Sequence, residues 1–200
     1  MKIIVWNSQD KCVADYHKLI RGCDVLCLLD CGQWTVPVYA LQIQNGLFHW
    51  KDEHEGLSYD IFYCLEKVAF VCRDGLYSGE SVLYSIHSNI GSLVGIRLQD
   101  DFWLFAHHEP NLVNAYHIGE FYLREISDRF RKAAFIADFK KKSYSWVQET
   151  VGKLYCIALP EGYYPHTVNY LFTIHVACTD LYLLEGYSET SNQPTFFELD

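Results

Sequence analysis

The sequence predicts an α+β sandwich, two β-sheets with helices over them, and three observations predict it. The 200 residues include 15 Tyr and 12 Phe but one Met, a ring-rich composition that suits pleated, half-buried surfaces better than a helical bundle. Half the chain is hydrophobic and 20% is charged, enough apolar side chain for a sizeable core and too little charge for wholesale disorder. Many short β-prone runs are separated by turn residues, and helical periodicity interrupts them at few places. There is no internal repeat, low-complexity stretch or Pro/Ser-rich linker, so residues 1–200 read as one domain.

The elements follow in order. Met1-Lys2-Ile3-Ile4-Val5-Trp6-Asn7 reads as a first strand. Ser8 caps a helix that carries Val13, Tyr16, Leu19 and Ile20 on one face and stops at Gly22. A buried strand at Asp24–Leu29 comes next, then a loop through Gly32 and Pro37. Between Tyr39 and Phe105 the β-prone runs include Leu47–Trp50, Tyr59–Cys64, Val68–Cys72, Ser81–His87, Leu93–Leu98 and Phe102–Ala106, the last two joined as a hairpin by Gln99-Asp100-Asp101. The spacing of Tyr116, Phe121, Ile126 and Phe130 predicts a long helix over Val113–Ala134. A strand at Phe135–Asp138, a basic turn and a short helix around Tyr144–Glu149 follow. The remaining strands fall near Leu154–Ala158, Val168–Thr173, Leu181–Leu184 and Thr195–Leu199.

The formal net charge of −9 argues against charge-driven nucleic-acid binding and against an anionic membrane surface. It suits a basic protein partner. No run of about 18 apolar residues predicts a membrane span. The opening apolar run is short and no small-residue cleavage site follows it, so the expected location is the cytoplasm. The 8 cysteines are then expected reduced. Cys23, Cys27 and Cys31 recur at every fourth position, but the strand around Cys27 would scatter them, and no Cys-x-x-Cys pair exists. They read as small buried hydrophobes.

Polar groups close four apolar runs: Asn7, Asp30, His107-His108-Glu109, and Asp138 ahead of Lys140-Lys141-Lys142. Taken singly, each reads as a cap or turn residue. Asn, Asp, Asp and His converging on one cleft would suit a hard divalent cation and a phosphate.

The order of these residues resembles the endonuclease/exonuclease/phosphatase superfamily, the deoxyribonuclease I-like fold, and within it the catalytic B subunits of cytolethal distending toxins. Trp6-Asn7 resembles the opening Trp-Asn, and Asp24–Gly32 resembles the strand that carries the metal-binding Glu. Gly95-Ile96-Arg97 through Ala106-His107 is similar, without a gap, to the Gly-Ile-Arg hairpin that ends in the catalytic His. Ile136-Ala137-Asp138-Phe139-Lys140 resembles Gly-Asp-Phe-Asn, Asn169-Tyr170 a late Asp-Tyr pair, and Ser191-Asn192-Gln193-Pro194 the closing Ser-Asp-His-x-Pro. The resemblance implies a four-layer α/β/β/α sandwich. It also implies a site made of His107, Asp138, Asn7 and Arg97, with Asp30 as the metal ligand.

The departures bear on activity. Asp30 is one methylene shorter than the family Glu, and Mg²⁺ demands near-octahedral geometry at about 2.1 Å. Lys140 stands where the family has Asn, and Asn169 where it has Asp. Asn192 and Gln193 replace an Asp–His pair and cannot exchange a proton near pH 7. His108 is not expected to substitute for His107, since neighbours on a strand point to opposite faces.

Two functional expectations follow. In one, the chain is a degenerate, inactive homologue needing no cofactor, an intracellular interaction protein of immunity or inhibitor type. In the other it is a metal-dependent phosphodiesterase, nuclease or phosphatase with an altered site, using Mg²⁺ or Mn²⁺.

Overall fold

The computed structural model describes residues 1–8, 16–65, 68–85, 92–108, 129–139, 153–155, 168–184 and 194–200. The strands are β1 (Lys2–Asn7), β2 (Val25–Leu29), β3 (Leu41–Gln44), β4 (Leu47–His54), β5 (Leu57–Cys64), β6 (Val68–Arg73) and β7 (Tyr77–Ser85). They continue with β8 (Ser92–Leu98), β9 (Phe102–His108), β10 (Lys132–Phe139), β11 (Lys153–Tyr155), β12 (Val168–Ile174), β13 (Cys178–Leu183) and β14 (Thr195–Leu199). One helix, α1 (Tyr16–Ile20), lies among the described residues.

The strands form two sheets. Sheet A has the order β13-β14-β1-β2-β6-β5-β4-β3 and sheet B the order β11-β12-β10-β9-β8-β7. β1 runs parallel to β2, and β9 parallel to β10; the other pairs are antiparallel. Strand alternation sorts the side chains of sheet A between two cores. Ile3, Val5, Val25, Cys27, Phe62 and Phe70 pack inward against Val94, Ile96, Leu104, Ala106 and Ile136 of sheet B. Ile4, Leu26, Leu28, Ile61 and Val71 face the other way, onto Tyr16, Leu19 and Ile20 of α1. Burying each Val, Leu, Ile or Phe side chain in these two cores contributes about 1.5–3 kcal/mol.

The N-terminal ammonium donates to the Leu199 carbonyl, 198 positions away in sequence, and the Leu199 N–H returns a bond to the Met1 carbonyl. β14 thus lies between β1 and β13, inside sheet A rather than at its edge.

Among the described residues the expected strands are present, several of them longer than the sequence pattern marks; the stretches 86–87 and 156–158, also expected as strand, lie outside those residues. Two expectations are corrected. Lys132-Ala133-Ala134, read as the end of the long helix, open β10. Leu41–Gln44, not singled out by the pattern, forms the edge strand β3. The rest of that helix, residues 113–128, and the short helix at 144–149 lie outside the described residues, as does the start of the helix capped by Ser8. The Gln99–Asp101 hairpin turn is a single 3-10 turn in which Asp100 and Asp101 take positive φ, +58° and +57°. Aspartate tolerates that left-handed region better than bulkier residues. Cys23, Cys27 and Cys31 are buried and form no disulfide. Among the described residues no helix is long and apolar enough to cross a membrane.

Candidate functional site

The parallel pairing of β1 with β2 brings Asn7 level with Leu29, so Asp30 leaves β2 beside the end of β1. Ser8 locks the two ends: its N–H donates to the Leu29 carbonyl at 2.9 Å, and its hydroxyl to the Asp30 carbonyl at 3.2 Å. Asn7 and Ser8 are almost fully buried. Asp30 turns with φ +46°, which swings the chain off the strand at the rim of the sandwich.

Sheet B presents the ends of β9 and β10 at the same rim. Their parallel register sets Asp138 opposite His108 and Ala137 opposite His107, and on its other side Asp138 pairs with Asn169 of β12. Position 138 therefore sits in one row with 108 and 169. Side chains at 138 and 169 lie outside the described residues, as do Lys140, Asn192 and Gln193 altogether.

The two neighbouring histidines part company. Phe102, Leu104 and Ala106 belong to the inter-sheet core, so alternation sends His108 to that side as well. His108 Nε2 lies 3.5 Å from Asp30 Oδ1, with side-chain exposures of 10% and 22%. This contact joins the two sheets at the rim. His107 shares the opposite face with Trp103 and Phe105, whose rings stack at 5.6 Å and meet Phe130 at 4.9 and 5.0 Å. It is fully buried there.

Arg97 is placed apart from this group. It pairs with Trp103, whereas Leu93 pairs with His107. Four residues of strand separate the two levels, about 13 Å at roughly 3.3 Å per residue. Its guanidinium makes ion pairs of 3.0 Å with both Glu80 and Asp101.

The structure therefore gathers Asn7, Asp30, His108 and the backbone positions 138 and 169 at one rim, with His107 behind it and Arg97 toward the opposite end. His108 is the residue that sequence reasoning missed. The alternation rule was sound, but Phe102–Ala106 is apolar on both faces and cannot reveal which histidine faces the other sheet.

Among the described residues, the carboxylate the rim offers a cation is that of Asp30. Magnesium requires several oxygens in octahedral array. Here one carboxylate is already engaged by an imidazole, and the described residues hold no group of three or more His, Cys, Asp or Glu placed to share an ion.

No family model matches the chain, and no curated protein matches it in sequence. Solved structures do match it in shape. A functionally unknown conserved protein from Enterococcus faecalis V583 superposes with a TM-score of 0.60 at 11% identity, covering 100% of this chain and 99% of that one. An endonuclease/exonuclease/phosphatase from Beutenbergia cavernae DSM 12333 gives 0.58 at 13% identity, over 100% of this chain and 71% of the other. A variant of the 3′ phosphatase NExo from Neisseria, bound to product DNA hairpin, gives 0.54 at 13% identity, over 100% and 99%. With the two mixed sheets described above, these neighbours show the fold to be the deoxyribonuclease I-like sandwich.

Proposed function

We propose that this chain is a deoxyribonuclease I-like domain that has lost phosphodiester chemistry and acts by binding another protein, a basic one, as an immunity or inhibitor protein would. The observation that carries the reading is the Asp30–His108 contact. The carboxylate that the resemblance assigns to the metal is used to tie one sheet to the other. The sequence departures agree: Asn192 and Gln193 cannot move protons where the family keeps Asp–His, and Lys140 substitutes an ammonium for the amide the family has at that position. The net charge of −9 favours a basic partner over duplex DNA, whose binding needs phosphate-neutralising cations. Kinship to the cytolethal distending toxin B subunits rests on the ungapped Gly95–His107 likeness, and the cytoplasm is the expected setting.

A second reading draws on the convergence of Asn7, Asp30 and His108 at one rim. In it the chain is an Mg²⁺- or Mn²⁺-dependent phosphodiesterase or phosphatase with an altered site at that rim, Asp30 holding the ion and Asn7 and Asp138 near the phosphate.

Plasmid nicking and p-nitrophenyl phosphate hydrolysis, with Mg²⁺ or Mn²⁺, separate the two. The wild-type chain should show no turnover above a Lys140→Ala control. The fivefold restoration (Asp30→Glu, Lys140→Asn, Asn169→Asp, Asn192→Asp and Gln193→His) should gain metal-dependent nicking, whereas single restorations do little, because such groups act as a unit. Turnover by the wild type that Asp30→Asn abolishes would establish the second reading instead.

A further inference from the structure

Away from the rim, the inter-sheet face carries a second polar constellation that the proposed function does not use. Asp60 of β5 is 3% exposed, and its Oδ1 lies 2.8 Å from Nε2 of His49 on β4. A buried ionised carboxylate is costly unless paired, so this dyad is a built feature rather than a surface accident. Aromatic rings fix the imidazole. Phe62 stacks on it at 4.5 Å and 7°, and Tyr77 of β7 lies 5.3 Å away while meeting Phe62 edge-on at 4.6 Å. Tyr77 in turn bonds its hydroxyl to Ser81 Oγ at 3.4 Å.

This cluster opens into a cavity of about 360 Å³ where the edge strands β3 and β7 of the two sheets meet, bounded by Leu41, Ile43, His49, Tyr77, Glu80 and Ser81 among others. Small-ligand sites begin at roughly 300 Å³. It is a different place from the rim: Asp60 is level with Cys72, and Cys72 with Val25 at the start of β2, whereas Asp30 follows the end of that strand.

We propose that this cavity is a second binding site, taking a small, neutral, aromatic ring that carries a hydrogen-bond donor. The chemistry follows from the dyad. In the tautomer that donates Nε2–H to Asp60, Nδ1 is the acceptor left on the ring. An acceptor in a cavity selects a donor. The apolar walls of Leu41 and Ile43 and the Tyr77 ring favour a flat, uncharged hydrophobic body.

The test uses indole, which has one N–H donor, and benzofuran, its near-isostere without one. In side-chain NMR titrations, indole at millimolar concentration should shift the ring resonances of His49 and Tyr77 saturably and leave those of His108 unmoved. Benzofuran should bind about 3- to 10-fold more weakly, the net worth of one hydrogen bond. Ile43→Trp, which fills the cavity and leaves both residues of the dyad in the sequence, should abolish the shifts; if that variant fails to fold, the indole–benzofuran contrast decides alone. An unshifted His49, equal binding of the two probes, or a folded Ile43→Trp that binds indole like wild type would each overturn the proposal.

Discussion

The ring of Phe105 occupies the space that a Cβ on Gly95 would need: a Cβ built there falls 2.4 Å from Cε1 and 2.6 Å from Cδ1 of that ring. The two residues are directly opposed on β8 and β9, on the face that also carries Trp103 and His107. Glycine is thus required by close approach and not by backbone angle, and the buried ring covers the gap that a glycine leaves in a sheet.

Gly95→Ala is therefore expected to destabilise the protein by about 1–3 kcal/mol, the usual cost of overpacking, and Gly95→Val by more. Urea denaturation checks it. A Gly95→Ala midpoint equal to wild type would mean that the Phe105 ring yields freely, and Gly95→Ala/Phe105→Leu should recover part of the loss.

The His49–Asp60 dyad predicts a double-mutant cycle. His49→Leu strands a carboxylate that is 3% exposed and should cost about 1–3 kcal/mol. Asp60→Leu removes the buried charge instead. The double variant should be more stable than His49→Leu alone, since an apolar pair can replace a buried polar one at little cost. Strict additivity of the two single losses would show that the groups are not coupled.

A pH effect is expected at α1. Burial, and then the ring of His54 stacked at 3.7 Å, hold the His17 imidazole below its ordinary range; Asp52 opposes the shift and Arg21 adds to it. The fold therefore disfavours the protonated form. Stability should be constant above the unfolded pKa of about 6.5 and fall as pH drops through and below it. Urea midpoints at several pH values between about 7.5 and about 5 should decline less steeply for His17→Phe than for wild type. Parallel slopes would remove His17 as the cause.

Thiol chemistry offers a further check. Burial pushes the Cys23 thiol up to about 12 and raises Cys72 well above its ordinary value, while Cys178 is partly exposed. Alkylation proceeds through the thiolate. Under native conditions iodoacetamide should label Cys178 first among the described cysteines, with Cys23 and Cys72 labelled only after denaturant is added. Peptide mass spectrometry reads this directly, and early labelling of Cys72 would contradict its placement in the inter-sheet core.

Most strands were legible because apolar runs bounded by Gly, Asp and Asn are a local signal. Ile3–Val5, Val68–Cys72 and Phe102–Ala106 all form where the pattern marks them. The failures lie where the deciding partner is remote. Lys132-Ala133-Ala134 has helix-forming composition and becomes strand because it pairs with Phe102-Trp103-Leu104. Leu41–Gln44 becomes a strand at an edge where Leu41 stays largely exposed, so no burial pattern announces it. Asn7 and Asp30 were legible as strand ends, and the parallel pairing of their strands makes them neighbours. The choice of His108 over His107 as the partner of Asp30 was not, because which face of β9 meets sheet A is a tertiary fact.

The placement of β14 inside sheet A has a consequence for how the molecule is made. While the chain is being synthesised, β1 emerges first and finds β2 at once, but its other flank can be paired only when residue 199 exists. Until then β1 presents an open row of backbone groups, the template on which aggregation begins. Sequence-distant pairing of this kind is also slow. The strand at 195–199 therefore acts as a late fastener: nascent chains stalled before residue 195 should depend on chaperones more than chains that carry it.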